Sequence, residues 1–333
     1  MTTRSAQLDA MALRRALPPE LLCHVIESVL PPNPHVLLPP SHAATKTLLA
    51  LTRVCRDAYG LATRLLRQRC VYIDSSRRLA NYLSCTQRFV PTMPAPLCLR
   101  TITSLYLQPF GALLNDLSAA TRMRELLCEV SDTLRRLVVL IPFQNVQPVH
   151  NWQAVRRTLR EGFERLHNLE EFVAIGDYPV LSVTDAPTDV WRLWPELKRL
   201  TLFNAPVDNH WLWWDIATLP KLQHVILARS LNMDRTNIKD EYFHKLPRDD
   251  ARLDRALRIV LVDAASTKRE IQTARWKEID PNGRMTVELQ EVTADGGGEE
   301  DPRKLVADYV KDQALNGCLW DRKTRVVEES ESE

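Results

Sequence analysis

Leu197-Lys198-Arg199-Leu200-Thr201-Leu202-Phe203 places two leucines three residues apart and then runs into strict alternation. The same text recurs as Leu166-x-x-Leu169-x-x-Phe172, Leu219-x-x-Leu222-x-x-Val225-x-Leu227 and Leu257-x-x-Val260-x-Val262. Such spacing suits a turn that feeds a strand whose inward side chains line a core. It predicts strands at Ile102 to Leu107, Leu137 to Ile141, Glu171 to Ile175, Arg199 to Phe203, His224 to Ala228 and Arg258 to Val262. Val71-Tyr72-Ile73 precedes them, with Asp74-Ser75-Ser76 as a helix cap for Arg77 to Leu83, and Arg284 to Val292 could add one more. Helical patterns fall between the strands, at Leu113 to Val130, Trp152 to Leu166, His210 to Ala217 and Asp240 to Leu246. Strand alternating with helix argues for an α/β fold of parallel strands joined by crossovers. A doubly wound sheet would fit that alternation, but text repeated before successive strands favours a curved solenoid of stacked units.

The chain before the first strand has another period. From Leu17 to Cys70, Leu17, Leu21 and Val25 are four apart, as are Leu22 and Ile26, while Glu20 and Glu27 stay off the stripe. Leu48, Leu51 and Cys55, then Ala58, Ala62 and Leu65-Leu66, continue the pattern on two further helices. So small a unit has too little core to stand alone and should lean on the remainder. Leu17-Pro18 with Glu20, the ladder Leu21, Leu22 and Ile26, and Val54-Cys55-Arg56 together resemble an F-box in its divergent fungal form. The loop from Pro31 to Thr47, with Pro31, Pro32, Pro34, Pro39 and Pro40, is longer than that pattern usually has. The bland alternative is an ordinary amphipathic bundle packed on its own domain.

The resemblance implies a docking module for the acidic linker subunit of a Skp-cullin-F-box (cullin-RING) ubiquitin ligase. Leu17, Pro18, Leu21, Leu22, Ile26, Leu51, Val54 and Cys55 would carry the contact. The repeat region in turn resembles the degenerate leucine-rich repeats that often follow an F-box. Taking Val71, Leu105, Leu137, Phe172, Leu200, Val225 and Val260 as equivalent gives intervals of 34, 32, 35, 28, 25 and 35. These are irregular and mostly longer than the usual repeat of about 20 to 29 residues. The asparagine or cysteine expected after each strand is missing as well.

Composition narrows the function classes. The 333 residues are 45% hydrophobic and 26% charged, with a net charge of +2, which gives no global reason to expect nucleic acid. Charge is uneven: Met11 to Arg100 holds twelve Lys or Arg against four acids, and Thr286 to Glu333 holds six against thirteen. A basic helical module suits an acidic partner, whose encounter it would speed. Neither a signal peptide nor a membrane span is legible, so a cytoplasmic or nuclear protein is expected. Seven cysteines without any Cys-x-x-Cys read as reduced, mostly buried thiols rather than zinc ligands.

The predicted organisation is a disordered lead-in (1–12), the F-box-like helical module (13–70), an irregular leucine-rich-repeat-like domain (71–292), an acidic loop with a capping helix (293–320) and a disordered acidic tail (321–333). Within 293–320, Ala294 to Asp301 is the acidic glycine loop, Asp301-Pro302 starts the helix and Asn316-Gly317 ends it. That helix is expected to cover an open end of the solenoid.

No phosphate loop, Gly-x-Ser-x-Gly elbow or His-Glu-x-x-His motif is present, and the histidines, His24, His210 and His224 among them, are dispersed. Asp263, at the end of Ile259 to Val262, is where an α/β enzyme could place a carboxylate, but it has no partner carboxylate in the sequence. What the F-box resemblance implies is a non-enzymatic substrate-recognition adaptor, expected to need no cofactor, metal, nucleic acid or membrane, that joins an unidentified protein target to the ligase. A repeat-type scaffold without ligase assembly and an α/β enzyme are the rival readings. Trp191, Trp194, Trp211, Trp213 and Trp214, five of the eight tryptophans, fall within 24 residues and are the candidate target-binding residues. The same cluster reads equally as core.

Overall fold

The computed structural model describes residues 18–86, 101–144, 152–183, 188–244, 254–267, 270–294, 301–322 and 324–329. The leucine text becomes a nine-stranded sheet whose strands lie in chain order. These are β1 (Tyr72–Ile73), β2 (Ser104–Leu107), β3 (Arg136–Leu140), β4 (Glu171–Ile175), β5 (Arg199–Phe203), β6 (His224–Ala228), β7 (Leu257–Ala264), β8 (Met285–Val292) and β9 (Arg325–Val326). β1 to β8 are parallel; β9 returns antiparallel on β8. A doubly wound sheet would reverse its strand order at a switch point, and this one does not.

Three helices precede the sheet: α1 (Pro19–Glu27), α2 (Ala43–Leu51) and α3 (Arg56–Arg69). Between the strands run α4 (Ser76–Thr86), α5 (Leu117–Val130), α6 (Trp152–Phe163), α7 (His210–Thr218), α8 (Ile238–His244) and α9 (Trp276–Ile279), and α10 (Pro302–Leu315) follows β8. The crossover helices all share one face of the sheet. Leu105, Leu137, Phe172, Leu200, Val225, Ile259 and Val287 stand side by side across it and join Met123, Phe163, Trp213 and Tyr242 in one core.

Val260, which the sequence aligns with that row, points to the other face. The physical reason is that β7 is buried on both sides, so Ile259-Val260-Leu261-Val262 reads as a continuous apolar run with no alternation to fix its register. Leu257-x-Ile259-x-Leu261 is the inward set.

Backbone hydrogen bonds set the unit boundaries. The carbonyls of Thr103, Arg135, Glu170 and Lys198 each accept two successive N–H groups of the next unit, at 135/136, 170/171, 198/199 and 223/224. At the far end, Gly176, Asn204 and Arg229 take a left-handed conformation immediately after β4, β5 and β6. Gly162 lets α6 approach α5 closely, because a Cβ there would lie 2.9 Å from the Arg124 backbone.

The second face is covered by α10, with Val306, Val310 and Ala314 packed on Val173, Phe203, Ile226 and Val262. α10 thus lies across β4, β7 and β8 instead of closing an end of the stack. Asp301 caps its start, accepting from Arg303 N at 3.0 Å, and Gly317, left-handed at φ 68°, ends it. Where composition predicts disorder from Asp321, Val327 N donates to Val287 O at 2.9 Å and β9 forms. The acidic glycines at 295–300, the lead-in and the proline stretch of 90–97 lie outside the described residues.

The helical unit keeps its own small core of Ile26, Leu48, Ala58, Ala62 and Leu65. It leans on the sheet through its proline loop, as a unit of that size must. Leu37 N donates to Leu315 O and Leu38 N to Arg69 O, both at 2.7 Å, and Arg69 in turn donates to Pro31 O and Asn33 O. Arg136, buried at the start of β3, ties the three parts together. Its guanidinium meets Glu171 at 2.6 Å and donates to the carbonyls of His35 and Ala314.

Candidate functional sites: an apolar helical face and an acidic cleft

Two surfaces carry features that folding alone does not require. The first is on the helical unit. Of the ten large apolar side chains exposed among the described residues, five belong to this short segment: Leu21, Val25, Leu49, Val54 and Tyr59. Leu21 and Val25, four apart, share a stripe of α1 that faces away from the buried Ile26. Val54 precedes Cys55, whose sulfur caps α3 by accepting from Ala58 N at 3.5 Å, and Tyr59 lies one turn further.

The residues read from the sequence as linker contacts therefore divide. Pro18, Leu21, Val54 and Cys55 are exposed, Leu22 and Leu51 are half-buried, and Ile26 belongs to the unit's own core, so it has no surface to offer. Leu17 lies outside the described residues. Val25, Leu49 and Tyr59 are exposed beside them, and of the three Val25 has a signal in the sequence, its four-residue spacing from Leu21. The cysteines also differ from expectation. Of the five whose exposure the structure describes, Cys23, Cys55 and Cys128 are exposed, and Cys70 and Cys318 half-buried. Cys55 sits at a helix start, where its sulfur caps α3, and Cys70 lies at the edge of the unit's small core.

The second surface is a cleft of about 600 Å³ at the C-terminal ends of β4 and β5, where parallel strands hand over to their crossovers. Tyr178 and Asn204 enter it from the turns after those strands, Asp189 and Arg192 from the 3-10 turn at Val190–Leu193, and Trp211, Leu212 and Asp215 from α7. Asn209 caps α7 by accepting from Trp211 N at 3.1 Å, which fixes the helix start at the rim. Trp211 and Asp215 are four apart and share one helix face.

The five tryptophans take different places. Trp191, Trp194 and Trp213 are fully buried. Trp194 Nε1 donates to Phe163 O at 2.8 Å with its ring edge-on to Phe172, and Trp213 Nε1 donates to Val207 O at 2.7 Å. Trp214 is half-buried against the same core. Trp211 alone of the five is exposed, at 59%, on the cleft rim. The three core tryptophans are thereby withdrawn from the candidate target-binding set.

The floor is acidic. Tyr178 Oη donates to Asp189 Oδ2. Burial raises the Asp189 carboxyl, against the lowering effects of the Tyr178 hydroxyl and the Arg160 charge. Burial pushes Asp215 up to about 6; Arg192 opposes the shift and Asp189 adds to it. Arg192 Nη1 stands 3.1 Å from Asp215 Oδ1, near enough for charge pairing, yet that oxygen accepts no hydrogen bond.

Asp263 lines a different hollow, under β9, and spends Oδ1 on the neighbouring Ala264 N. His224, on the second face of the sheet, has its ring lowered by burial. Among the described residues no helix is long and apolar enough to cross a membrane. No protein-family model, curated protein or solved structure matches the chain.

Proposed function

We propose that the chain is a substrate-recognition adaptor of a Skp-cullin-F-box type ubiquitin ligase. In this reading α1 to α3 are the F-box-like module that docks the acidic linker subunit. The sequential strands with their one-sided crossovers are an irregular leucine-rich-repeat-like solenoid that presents a protein target, and the chain itself performs no chemistry. The observation that carries the proposal is the exposure of Leu21, Val25, Val54 and Tyr59, each more than half exposed. Apolar side chains concentrated on a small unit mark a surface that a partner covers. The same unit holds six Lys or Arg against three acids between Pro18 and Cys70, which suits an acidic partner. Co-expression with the linker subunit tests the reading: the wild-type chain should co-purify with it, and Leu21→Asp should not, because a charge buried without a partner is costly. Circular dichroism shows whether the variant has kept its helices. Co-purification undiminished in folded Leu21→Asp rejects this interface.

A further inference from the structure

The acidic cleft beside α7 has the form of a pocket for one particular side chain. Its rim carries two exposed apolar residues, Trp211 and Leu231, the latter 44% exposed. One helical turn inward, Asp215 is 94% buried, and its Oδ1 faces Arg192 Nη1 at 3.1 Å without accepting a hydrogen bond from it. A buried carboxylate held by one ion pair without hydrogen bonds is under-satisfied, and a further donor reaching it from the cleft would offset that cost.

The charges facing this point can be counted. Among the described residues Asp215 and Asp189 are the acids of the lining, and Arg192 is the cation that lines the cleft with them. Arg160, behind Asp189, is held by Glu164 at 2.6 Å and by the carbonyls of Leu181 and Thr188. Tyr178 gives its proton to Asp189 as a hydrogen bond and brings no charge. Counted over the described residues, the floor is therefore one negative charge in excess, and what complements it is a cation. The apolar rim asks that the cation arrive on an aliphatic stem, and a tryptophan face at the mouth favours a cation passing over it.

We infer that the cleft binds an arginine or lysine side chain presented by a partner polypeptide, its stem against Trp211 and Leu231 and its charged end at Asp215. Calling that polypeptide the target rests on the adaptor reading above; the binding itself does not.

The test is selection of a random dodecapeptide display library on the full chain, followed by affinity measurements with a synthesised enriched peptide. The enriched peptides should share a basic residue. The synthesised peptide should lose at least about tenfold in affinity on Asp215→Asn, on Trp211→Ala and on replacing its own basic residue by glutamine. Trp211 is a surface residue and Asn is isosteric with Asp, so thermal melts of both variants should show a folded chain. Enrichment of peptides without a basic residue, no enrichment, wild-type affinity in Asp215→Asn, or binding of free agmatine as tight as the peptide overturns the inference. Linker binding, measured on the same preparations, separates the two proposals. Peptide binding without linker binding sinks the adaptor reading alone, and linker binding without a basic peptide sinks this one alone.

Discussion

Asp215 shows what a functional residue costs a fold. Its carboxyl sits at about 6, above the ordinary carboxylate near 3.9, because burial disfavours the charged form. A raised folded value means the group's contribution to stability is fully present below about pH 4 and is lost as pH rises through about 6. Asp215→Asn should therefore stabilise the chain above pH 6, on the order of 1 to 2 kcal/mol after discounting for solvent at the open cleft, and make no difference at pH 4. Asp189 titrates with the same sign, so the difference between wild type and variant in thermal melts across pH is the quantity to read. A variant less stable than wild type at pH 7 would contradict this account. The sequence showed a tryptophan cluster but not which member was exposed. Trp211 and Trp213 differ by two positions on a short helix, and only the direction of α7 against the sheet sends one outward. Asp215 carried no signal at all, since its chemistry comes from burial by residues distant in the chain.

At the scale of elements, the strands were legible as short apolar runs, alternating or continuous, and boundaries moved by one or two residues. α10 was legible as a helix, through Asp301-Pro302 and Gly317, but not in its place. A helix that covers a sheet face and one that closes a stack have the same apolar stripe. Its C-terminal end is the joint with the helical unit: Gly317 is left-handed, and a Cβ there would fall 2.7 Å from His35. Gly317→Ala should cost roughly 1 to 3 kcal/mol, from the left-handed backbone and the displaced proline loop together. Chemical denaturation measures it; a change below about 0.5 kcal/mol would show that the joint is not held in this geometry. By the same logic Leu200→Ala, in the centre of the main core, should cost about 2 to 5 kcal/mol.

Across the whole molecule, the parallel sheet is a spacer with helices on one face and α10 on the other, and it carries two dissimilar surfaces. The apolar face of α1 to α3 belongs to the N-terminal unit, while the acidic cleft opens at the C-terminal ends of β4 and β5. The first was partly visible in the sequence, because an apolar stripe can be counted; whether it faces inward could not be, and Ile26 went to the core while Leu21 did not. Since the two surfaces share no residue, damage to one should leave the other intact. The direct test is the equilibrium affinity of the full chain for the purified acidic linker subunit, measured for wild type, Val54→Asp and Trp211→Ala with helical content followed by circular dichroism. The account predicts equal affinity for wild type and Trp211→Ala and a loss of at least about tenfold for folded Val54→Asp. Absence of binding by the wild-type chain, or undiminished binding by Val54→Asp, would contradict it.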